Sequence, residues 1–340
     1  MKLPAVISIG AGHSQIALIL SVRDLGYKVI SVDRNSKAAG FKYSNECLQL
    51  STYEAKPIIE ALECLKTSYD IKGAFTRSSG PPVITTAVLA EHFGLPGATV
   101  KAASTVVDKN RLMQVCQDNF INVPRSRRID ESNFLEVVRS RIPCVIKPAM
   151  GLVGKAGVTL VKSVVEAGPA MKIAKAASYT NDVLVEDYVP GDDIGLMSVV
   201  FNGRVYPVVL LRELNEFRPD GTLLSYGLSM PCSLGAETDK LVYELAQSVV
   251  DATGIEFSPF LMSCRCRKGV SPTLIEVHLD FGGDCILDKL FPMSTDFDFI
   301  RYVLEVMMYA RSPVLEENIK FQFSRIGKMS GEKDCRGVSA

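Results

Sequence analysis

Two lysines flank a loop of small residues in the segment PCVIKPAMGLVGKAGVTLV, residues 143–161. Lys147 ends an apolar, strand-like run, and the proline that follows holds it in an extended conformation. A lysine in a buried strand is costly to desolvate unless an anion pairs with it. The loop GLVGKAG offers backbone amides that can fold over an anion, and Lys155 adds a positive charge. The pattern favours a polyphosphate site beneath this loop over a surface hairpin with solvated lysines.

Acidic residues are grouped in two later segments. The run TLIEVHLD alternates strictly, so Glu276, His278 and Asp280 share one face of a strand. A face with three ionisable groups is unsuited to a core, so it predicts a metal or substrate site. The segment LVEDYVPGDD places Glu186 and Asp193 seven residues apart across a Pro-Gly turn, which points the same way.

Candidates for holding a second substrate are weaker. Arg212 follows the apolar run VVLL, and a guanidinium there suits bidentate binding of a carboxylate. A solvated arginine at a strand end is the alternative. Gly282 and Gly283 predict a turn near the reacting groups, and Ser79 in TRSSGPP is predicted to line a cleft from the N-terminal part of the chain.

The first hundred residues alternate strand-like and helical patterns, which predicts βαβ units on a parallel sheet. The turn GAGHSQ has two glycines where an anion could meet a helix N-terminus, but Gln15 occupies the third position of the G-x-G-x-x-G fingerprint. Asp33 ends the second strand, as a ribose-binding residue would. We favour a structural Rossmann-like turn over a cofactor site, which leaves a nicotinamide-dependent oxidoreductase as a remote alternative.

Four regions are predicted along the chain. Residues 1–105 form the Rossmann-like domain, and 106–185 form a linker helix, capped by Asp108, and a small lid subdomain. Residues 186–320 form a larger α+β subdomain. Residues 321–340 form a tail, and its last fifteen or so residues, IGKMSGEKDCRGVSA, are polar and small and are expected to be frayed.

Composition excludes several classes of protein. Lys plus Arg and Asp plus Glu number 38 each, so no net charge attracts nucleic acid or an anionic membrane. We find no apolar run long enough to span a membrane and no signal peptide, which together predict a cytoplasmic location. Among nine cysteines, Cys264 and Cys266 form a C-x-C without the second pair that zinc needs, so reduced cysteines are expected.

In their order and spacing these motifs resemble the ATP-grasp superfamily, which includes D-alanine–D-alanine ligase, biotin carboxylase and carbamoyl-phosphate synthetase. The resemblance runs from the N-terminus to about residue 315. It implies an ATP-grasp fold of mixed α/β and α+β type, with a Rossmann-like parallel-sheet domain, a lid subdomain and a larger C-terminal subdomain.

The resemblance also assigns binding roles. The segment DKNRLMQVCQDNFINVP resembles the helix whose lysine reaches the ATP phosphates, the lysine-flanked loop resembles the second phosphate site, and LVEDYVPGDD resembles the hinge that holds adenine and ribose. The family usually has glutamate where Asp193 stands. The residues assigned to ATP in this way are Lys109, Lys147, Lys155, Glu186, Asp187, Val189, Asp193 and Glu276.

The metal strand departs from the family pattern E-x-N-x-R, because His278 and Asp280 replace the asparagine and the arginine. An acidic ligand expected on the preceding strand falls at Ser263. Magnesium prefers oxygen ligands, so a direct bond from His278 would suit it poorly. With Glu276 and His278 as the candidate metal residues, Asp280 could replace the lost carboxylate, or ATP phosphates and Glu276 could hold the metal. Impaired catalysis is the third outcome.

The activity that the resemblance implies is an ATP-dependent carboxylate–amine ligase. It would activate a small carboxylate, such as an amino acid, as an acyl phosphate and join it to an amine, with Lys155 and Arg212 as catalytic residues. ATP and Mg²⁺, or Mn²⁺ in its place, are the implied cofactors, small carboxylates and amines are the implied partners, and homodimers are frequent in the family. A non-catalytic, ATP-binding regulatory protein is the alternative, and a kinase or carboxylase within the same fold stays open.

Overall fold

A computed structural model describes residues 2–151, 155–283, 286–309, 311, 313, 319–328 and 335–338. Three sheets follow one another along the chain: a parallel sheet, a small antiparallel sheet and a large antiparallel sheet. Within the described part, no helix has the length and apolar character needed to cross a membrane.

The N-terminal unit is a four-stranded parallel sheet in the order β3-β2-β1-β4. Val6 packs with the first helix on one face of the sheet, whereas Ile7 packs with the second helix on the other. Both faces are therefore buried, as in parallel sheets generally. The elements are β1 (Leu3–Ile9), α1 (Ile16–Asp24), β2 (Lys28–Val32), β3 (Glu46–Leu48), α2 (Ala55–Leu65), β4 (Tyr69–Thr76) and α3 (Pro81–Phe93).

The glycine turn after β1 is held by its own neighbours. The backbone N–H of Ala11 donates to Oδ2 of Asp33 at 3.0 Å, and Nε2 of Gln15 donates to Oγ of Ser78 at 2.8 Å. Gly10 has a φ of 108°, a conformation that favours glycine. Because Asp33 is engaged in holding the turn, this geometry supports the structural interpretation of the motif.

Two helices, α4 (Val100–Val107) and α5 (Lys109–Asp118), connect this unit to the next. Asp108 separates them with an extended backbone, and its Oδ1 accepts hydrogen bonds from the N–H groups of Asn110 and Arg111 at 3.0 and 3.3 Å. The predicted cap is confirmed. The boundary predicted at residue 105 falls inside α4, and Lys109 becomes the first residue of α5.

The small antiparallel sheet has the order β5-β8-β6-β7 and is covered by two helices. Successive side chains along each strand point to opposite faces of this sheet. Ile146 and Val185 point into the core beneath the helices, so Lys147 and Glu186 lie on the opposite face. The boundary predicted at residue 185 falls inside strand β8, which runs from Val183 to Asp187. The elements are β5 (Ser126–Ile129), α6 (Phe134–Arg139), β6 (Cys144–Pro148), β7 (Thr159–Val161), α7 (Val164–Ala176) and β8 (Val183–Asp187).

The large antiparallel sheet has the order β13-β12-β9-β10-β11-β14-β15. One face of the sheet packs against α4, α5 and a long helix, α8, and Phe260 lies in the core on that side. The other face packs against the C-terminal helices. The elements are β9 (Asp192–Phe201), β10 (Arg204–Phe217), β11 (Leu223–Met230), α8 (Ala236–Thr253), β12 (Phe257–Arg267), β13 (Val270–His278), a π-helical turn (Ile286–Leu290), α9 (Phe291–Ser294), α10 (Phe299–Tyr309), β14 (Ser324–Lys328) and β15 (Cys335–Val338).

The prediction of a frayed tail is wrong for part of residues 321–340. Strand β14 pairs antiparallel with β11, with Arg325 opposite Ser229, and β15 pairs with β14. A strand at the edge of a sheet presents unpaired N–H and C=O groups, and pairing satisfies them whatever the side chains are. Polar composition therefore did not prevent strand formation here.

Candidate active site

Two cavities adjoin one another between the small and the large sheet. The larger has a volume of about 260 Å³ and extends to the N-terminal unit, and the smaller, of about 90 Å³, lies beneath β6 and β8. Five residues line both cavities, and they are Lys109, Gly151, Lys155, Ser263 and Glu276. Two lysines and a carboxylate therefore stand where the cavities meet. Leu152, Val153 and Gly154 of the predicted glycine loop lie outside the described residues.

Lys147 and Glu186 form a buried ion pair on the wall of the smaller cavity. Their Nζ and Oε2 atoms are 2.6 Å apart, and the two side chains are 6% and 5% exposed. The anionic partner of this buried strand lysine in the structure is Glu186, and its role toward a phosphate stays a prediction. The other carboxylate oxygen of Glu186, Oε1, makes no hydrogen bond to any described residue although it is buried. That oxygen can accept a bond from a ligand.

Lys109 and Glu276 form the second pair, at the junction of the cavities. Nζ of Lys109 is 2.7 Å from Oε2 of Glu276, and both side chains are largely buried. His278 lies beside this pair, with Nε2 3.6 Å from Oε1 of Glu276 and Nδ1 3.9 Å from Oδ2 of Asp280. The predicted sharing of one strand face is confirmed, because all three ionisable groups of this segment line the larger cavity.

Lys155 pairs with Glu213, a residue that our sequence reasoning missed. The other carboxylate oxygen of Glu213, Oε1, accepts a hydrogen bond from Oγ of Ser263 at 2.6 Å, and Nδ2 of Asn215 donates to Oε2 at 3.2 Å. Glu213 lies on β10 and Ser263 on β12, with β9 between them. The side chain of Glu213 therefore crosses β9 to reach Ser263.

A glycine on β9 makes this crossing possible. A Cβ placed on Gly195 would lie 2.7 Å from Cδ1 of Leu211 and 3.5 Å from Oε1 of Glu213. Since real Cβ atoms essentially never approach another heavy atom within 3.0 Å, a side chain at this position would displace Leu211 and disturb the path of Glu213. The absence of a side chain at Gly195 leaves space above β9 for the carboxylate of Glu213.

Arg212 does not line either cavity, so the structure does not bring it to the other candidate residues. It is adjacent to Glu213 on β10, and alternate residues of a strand point to opposite faces. Its Nη1 atom lies 3.1 Å from Oδ1 of Asp192 on the side away from the site. The predicted clamp on a substrate carboxylate is corrected: Glu213, and not Arg212, faces the cavity.

Asp193 lines the smaller cavity, together with the predicted residues Asp187 and Val189. Its Oδ1 is 2.5 Å from Nε of Arg265, and Nδ2 of Asn215 donates to its Oδ2 at 3.0 Å. Both carboxylate oxygens are therefore engaged by protein groups. A ribose hydroxyl at this position would have to share them.

The larger cavity reaches residues from the N-terminal unit, as predicted. Ser79, Gly282 and Gly283 line it, and so does the buried Arg77, a second residue of the predicted cleft segment TRSSGPP. Arg77 donates through Nη1 and Nη2 to the carboxylate of Asp288 at 2.8 and 3.3 Å, and through Nε to the carbonyl of Gly282 at 3.3 Å. This contact ties the N-terminal unit to the segment that follows β13.

The charges of the site support one another. Burial acts to lower the pKa of Lys155, but Glu213, Glu276 and Asp193 together raise that pKa above its usual value. Burial acts to raise the pKa of Glu276, yet Lys109, His278 and Lys155 hold it well below the usual range. For Glu213, burial is likewise outweighed by Lys155 and Ser263, and its pKa is lowered. These shifts favour the charged forms of Lys155, Glu213 and Glu276.

Metal-ligating groups are sparse in the site. Within the described residues, no three side chains of His, Cys, Asp or Glu gather closely enough to hold a metal ion by themselves. Burial acts to lower the pKa of His278, but Glu276 and Asp280 raise it, which favours the protonated ring that cannot ligate a metal. The carboxylate of Glu276 lines both cavities, and that of Glu213, which pairs with Lys155, lines the larger one.

Comparisons with known proteins agree with this architecture, although no protein-family model matches the chain. The alanine–anticapsin ligase of Bacillus subtilis strain 168 is 20% identical over 343 residues, which cover 93% of this chain and 71% of that protein. A D-alanine–D-alanine ligase of Anaeromyxobacter sp. strain Fw109-5 is 29% identical over 135 residues, which cover 38% of this chain and only 42% of the ligase.

Among solved structures, the L-amino acid ligase from Bacillus licheniformis superposes with a TM-score of 0.77 at 19% identity. The match covers 96% of this chain and 79% of that one. These relatives and neighbours are ATP-grasp proteins, and the parallel sheet followed by two antiparallel sheets matches their architecture. The chain therefore has the ATP-grasp fold.

Proposed function

We propose that the protein is an ATP-dependent ligase that activates a small carboxylate as an acyl phosphate and joins it to an amine. The observation that carries the proposal is that Lys109 and Lys155 line both adjoining cavities. A triphosphate held in the smaller cavity would present its last phosphate, between these lysines, to a molecule in the larger cavity. The similarity to an alanine–anticapsin ligase and an L-amino acid ligase supports the same reaction class.

The smaller cavity suits the nucleotide. Side chains of Val145, Val189, Phe217, Leu223 and Ile275 give it apolar walls against which a base can pack. At its edge, the unpaired Oε1 of Glu186 can accept a hydrogen bond, and the Lys147 ammonium can approach a phosphate.

Phosphoryl transfer to a carboxylate is slow in water because two anions must approach each other. The carboxylate oxygen attacks the γ-phosphorus as ADP leaves. The nitrogen of the free amine then attacks the acyl carbon as phosphate leaves, and the proton lost from nitrogen passes to the released phosphate or to solvent. Lys109 and Lys155 would stabilise the charge that gathers between the reacting groups. In the structure each of these lysines is paired with a carboxylate, and phosphates would replace Glu276 and Glu213 as their partners.

Magnesium would be held by Glu213 and Glu276 together with phosphate oxygens of ATP. Carboxylate oxygens are the ligands that Mg²⁺ prefers, and Mg²⁺ commonly takes only one or two protein carboxylates beside substrate phosphates. The path of Glu213 over Gly195 to Ser263 brings a carboxylate to the place where the family's acidic ligand is missing. The ion would neutralise phosphate charge, and Mn²⁺ could take the place of Mg²⁺. His278 is not part of this proposed set of metal ligands.

A screen for ADP release tests the proposed reaction. We expect ADP formation when purified protein, Mg²⁺ and ATP are supplied with pairs drawn from the standard amino acids, and we expect mass spectrometry to find a dipeptide in the responding reactions. A reaction without amino acids measures the background rate of ATP hydrolysis. Absence of ADP and of condensation product for every pair would contradict the proposal.

A non-catalytic ATP-binding protein is the second candidate, because the family's acidic ligand is replaced by Ser263. Tight binding of ATP without turnover for any pair of amino acids would favour it. Turnover that requires a divalent cation would exclude it.

A further inference from the structure

We propose that Asp280 binds the ammonium group of an amino-acid substrate in the larger cavity. This inference rests on the proposed function, and it names a substrate class that the function alone leaves open. Asp280 follows directly after β13 and lines the cavity, where the resemblance places an arginine in related proteins. An arginine there would attract an anion, whereas an aspartate attracts a cation.

The two oxygens of Asp280 have different environments. Oδ1 accepts a hydrogen bond from the backbone N–H of Gly282 at 2.7 Å, which fixes the orientation of the carboxyl group. Oδ2 is buried and makes no hydrogen bond to any residue that the structure describes. The whole residue is only 3% exposed, so water reaches this oxygen poorly. A buried carboxylate oxygen without a donor is costly, and a ligand that donates to it would relieve that cost.

None of the neighbouring cations in the described chain donates a hydrogen bond to Oδ2. Nδ1 of His278 is 3.9 Å away, beyond hydrogen-bond distance, and its other ring nitrogen faces Glu276. Arg77 is held by Asp288 and by the carbonyl of Gly282. Lys109 pairs with Glu276. The carboxylate of Asp280 is therefore available to an incoming cation.

The rest of the larger cavity limits the ligand to a small molecule with an apolar part. Its volume of about 260 Å³ is shared with the terminal phosphate, and its walls include Val83, Leu228, Leu279 and Ile286. A compact aliphatic amino acid, with its ammonium group on Asp280 and its side chain against these residues, matches these features.

The ammonium group could belong either to the molecule that donates the carboxylate or to the acceptor, which would bind as an ammonium ion and lose a proton to solvent before its nitrogen attacks the acyl phosphate. Hydroxylamine separates these sources, because it is uncharged near neutral pH and traps an acyl phosphate as a hydroxamate without an amino-acid acceptor. If the donor carries the ammonium group, substitution of Asp280 raises the donor KM in both the trapping and the full reaction. If the acceptor carries it, only the acceptor KM in the full reaction rises.

The variant Asp280→Asn keeps the shape of the side chain and an acceptor for the N–H of Gly282, but it removes the charge. We expect KM for one amino-acid substrate to rise about 10- to 100-fold, the range typical of a lost hydrogen bond to a charged group. KM for ATP and the affinity for a non-hydrolysable ATP analogue are expected to stay within about 2-fold of wild type. Asp296→Asn, a change at an exposed aspartate that lines neither cavity, is the matched control.

Three results would overturn the inference. Unchanged KM values for both amino acids would show that Asp280 holds no substrate. An equal weakening of ATP-analogue binding would indicate a structural effect instead of a substrate contact. If the wild-type protein turns over lactate as the carboxylate donor as well as it does the matching amino acid, and the acceptor KM is unchanged in Asp280→Asn, then Asp280 recognises neither ammonium group, while the ligase proposal stays intact.

Discussion

Replacing Lys147 with alanine is expected to weaken the binding of an ATP analogue by about 100-fold, a loss typical of a charge-assisted contact. The same change leaves the buried carboxylate of Glu186 without its partner, since the two groups are 2.6 Å apart and almost fully buried. Breaking such a pair from one side typically costs about 3–5 kcal/mol of unfolding free energy. Calorimetric titration and denaturant unfolding measure the two effects separately.

A double variant separates lost binding from lost stability. In Lys147→Met with Glu186→Gln both charges are absent, so we expect most of the stability to return while nucleotide affinity stays low. Lys175→Ala is the control, because Lys175 is an exposed lysine of the same subdomain, paired with the exposed Glu131. Nucleotide affinity equal to that of wild type in a folded Lys147 variant would contradict the assignment.

Replacing Glu213 with glutamine is expected to lower the affinity for Mn²⁺ by about 10- to 100-fold, measured by electron paramagnetic resonance in the presence of an ATP analogue. The amide retains an acceptor for the hydroxyl of Ser263, but it removes the negative charge. We expect turnover at limiting metal to fall with the metal affinity. Glu216→Gln, at an exposed glutamate on the same strand, is the matched control.

The position of Ser263 offers a rescue. Ser263 lies directly opposite Glu276 in the β12–β13 pairing, and its hydroxyl is within 2.6 Å of the Glu213 carboxylate. We therefore expect the double variant Glu213→Gln, Ser263→Asp to recover most of the metal affinity, because the carboxylate is moved by one side chain and not removed. A wild-type affinity in Glu213→Gln alone, or no recovery in a folded double variant, would exclude Glu213 as a metal ligand.

The sequence by itself determined the architecture of the N-terminal unit and several of the site's side chains. Strand–helix alternation predicted the parallel sheet, and strict alternation in TLIEVHLD predicted that Glu276, His278 and Asp280 share a face, which they do. Both results depend on local periodicity, which is set by backbone geometry within one strand or helix. The cap at Asp108 is local in the same way.

What the tertiary structure decided depends on pairing between distant segments. In LLRELNEF either Arg212 or Glu213 could face the site, and only the position of β10 in the large sheet selects Glu213. Arg77 and Asp288 are distant in sequence and meet only because the N-terminal unit packs against the end of the large sheet. The polar sequence of Ser324–Lys328 does not predict a strand. The strand forms because the edge of β11 supplies partners for its backbone hydrogen bonds. The sequence therefore shows which side chains can be charged and which of them share a face of one strand. Which face turns toward the site, and which oppositely charged residue each side chain pairs with, depends on contacts between segments that are distant in sequence.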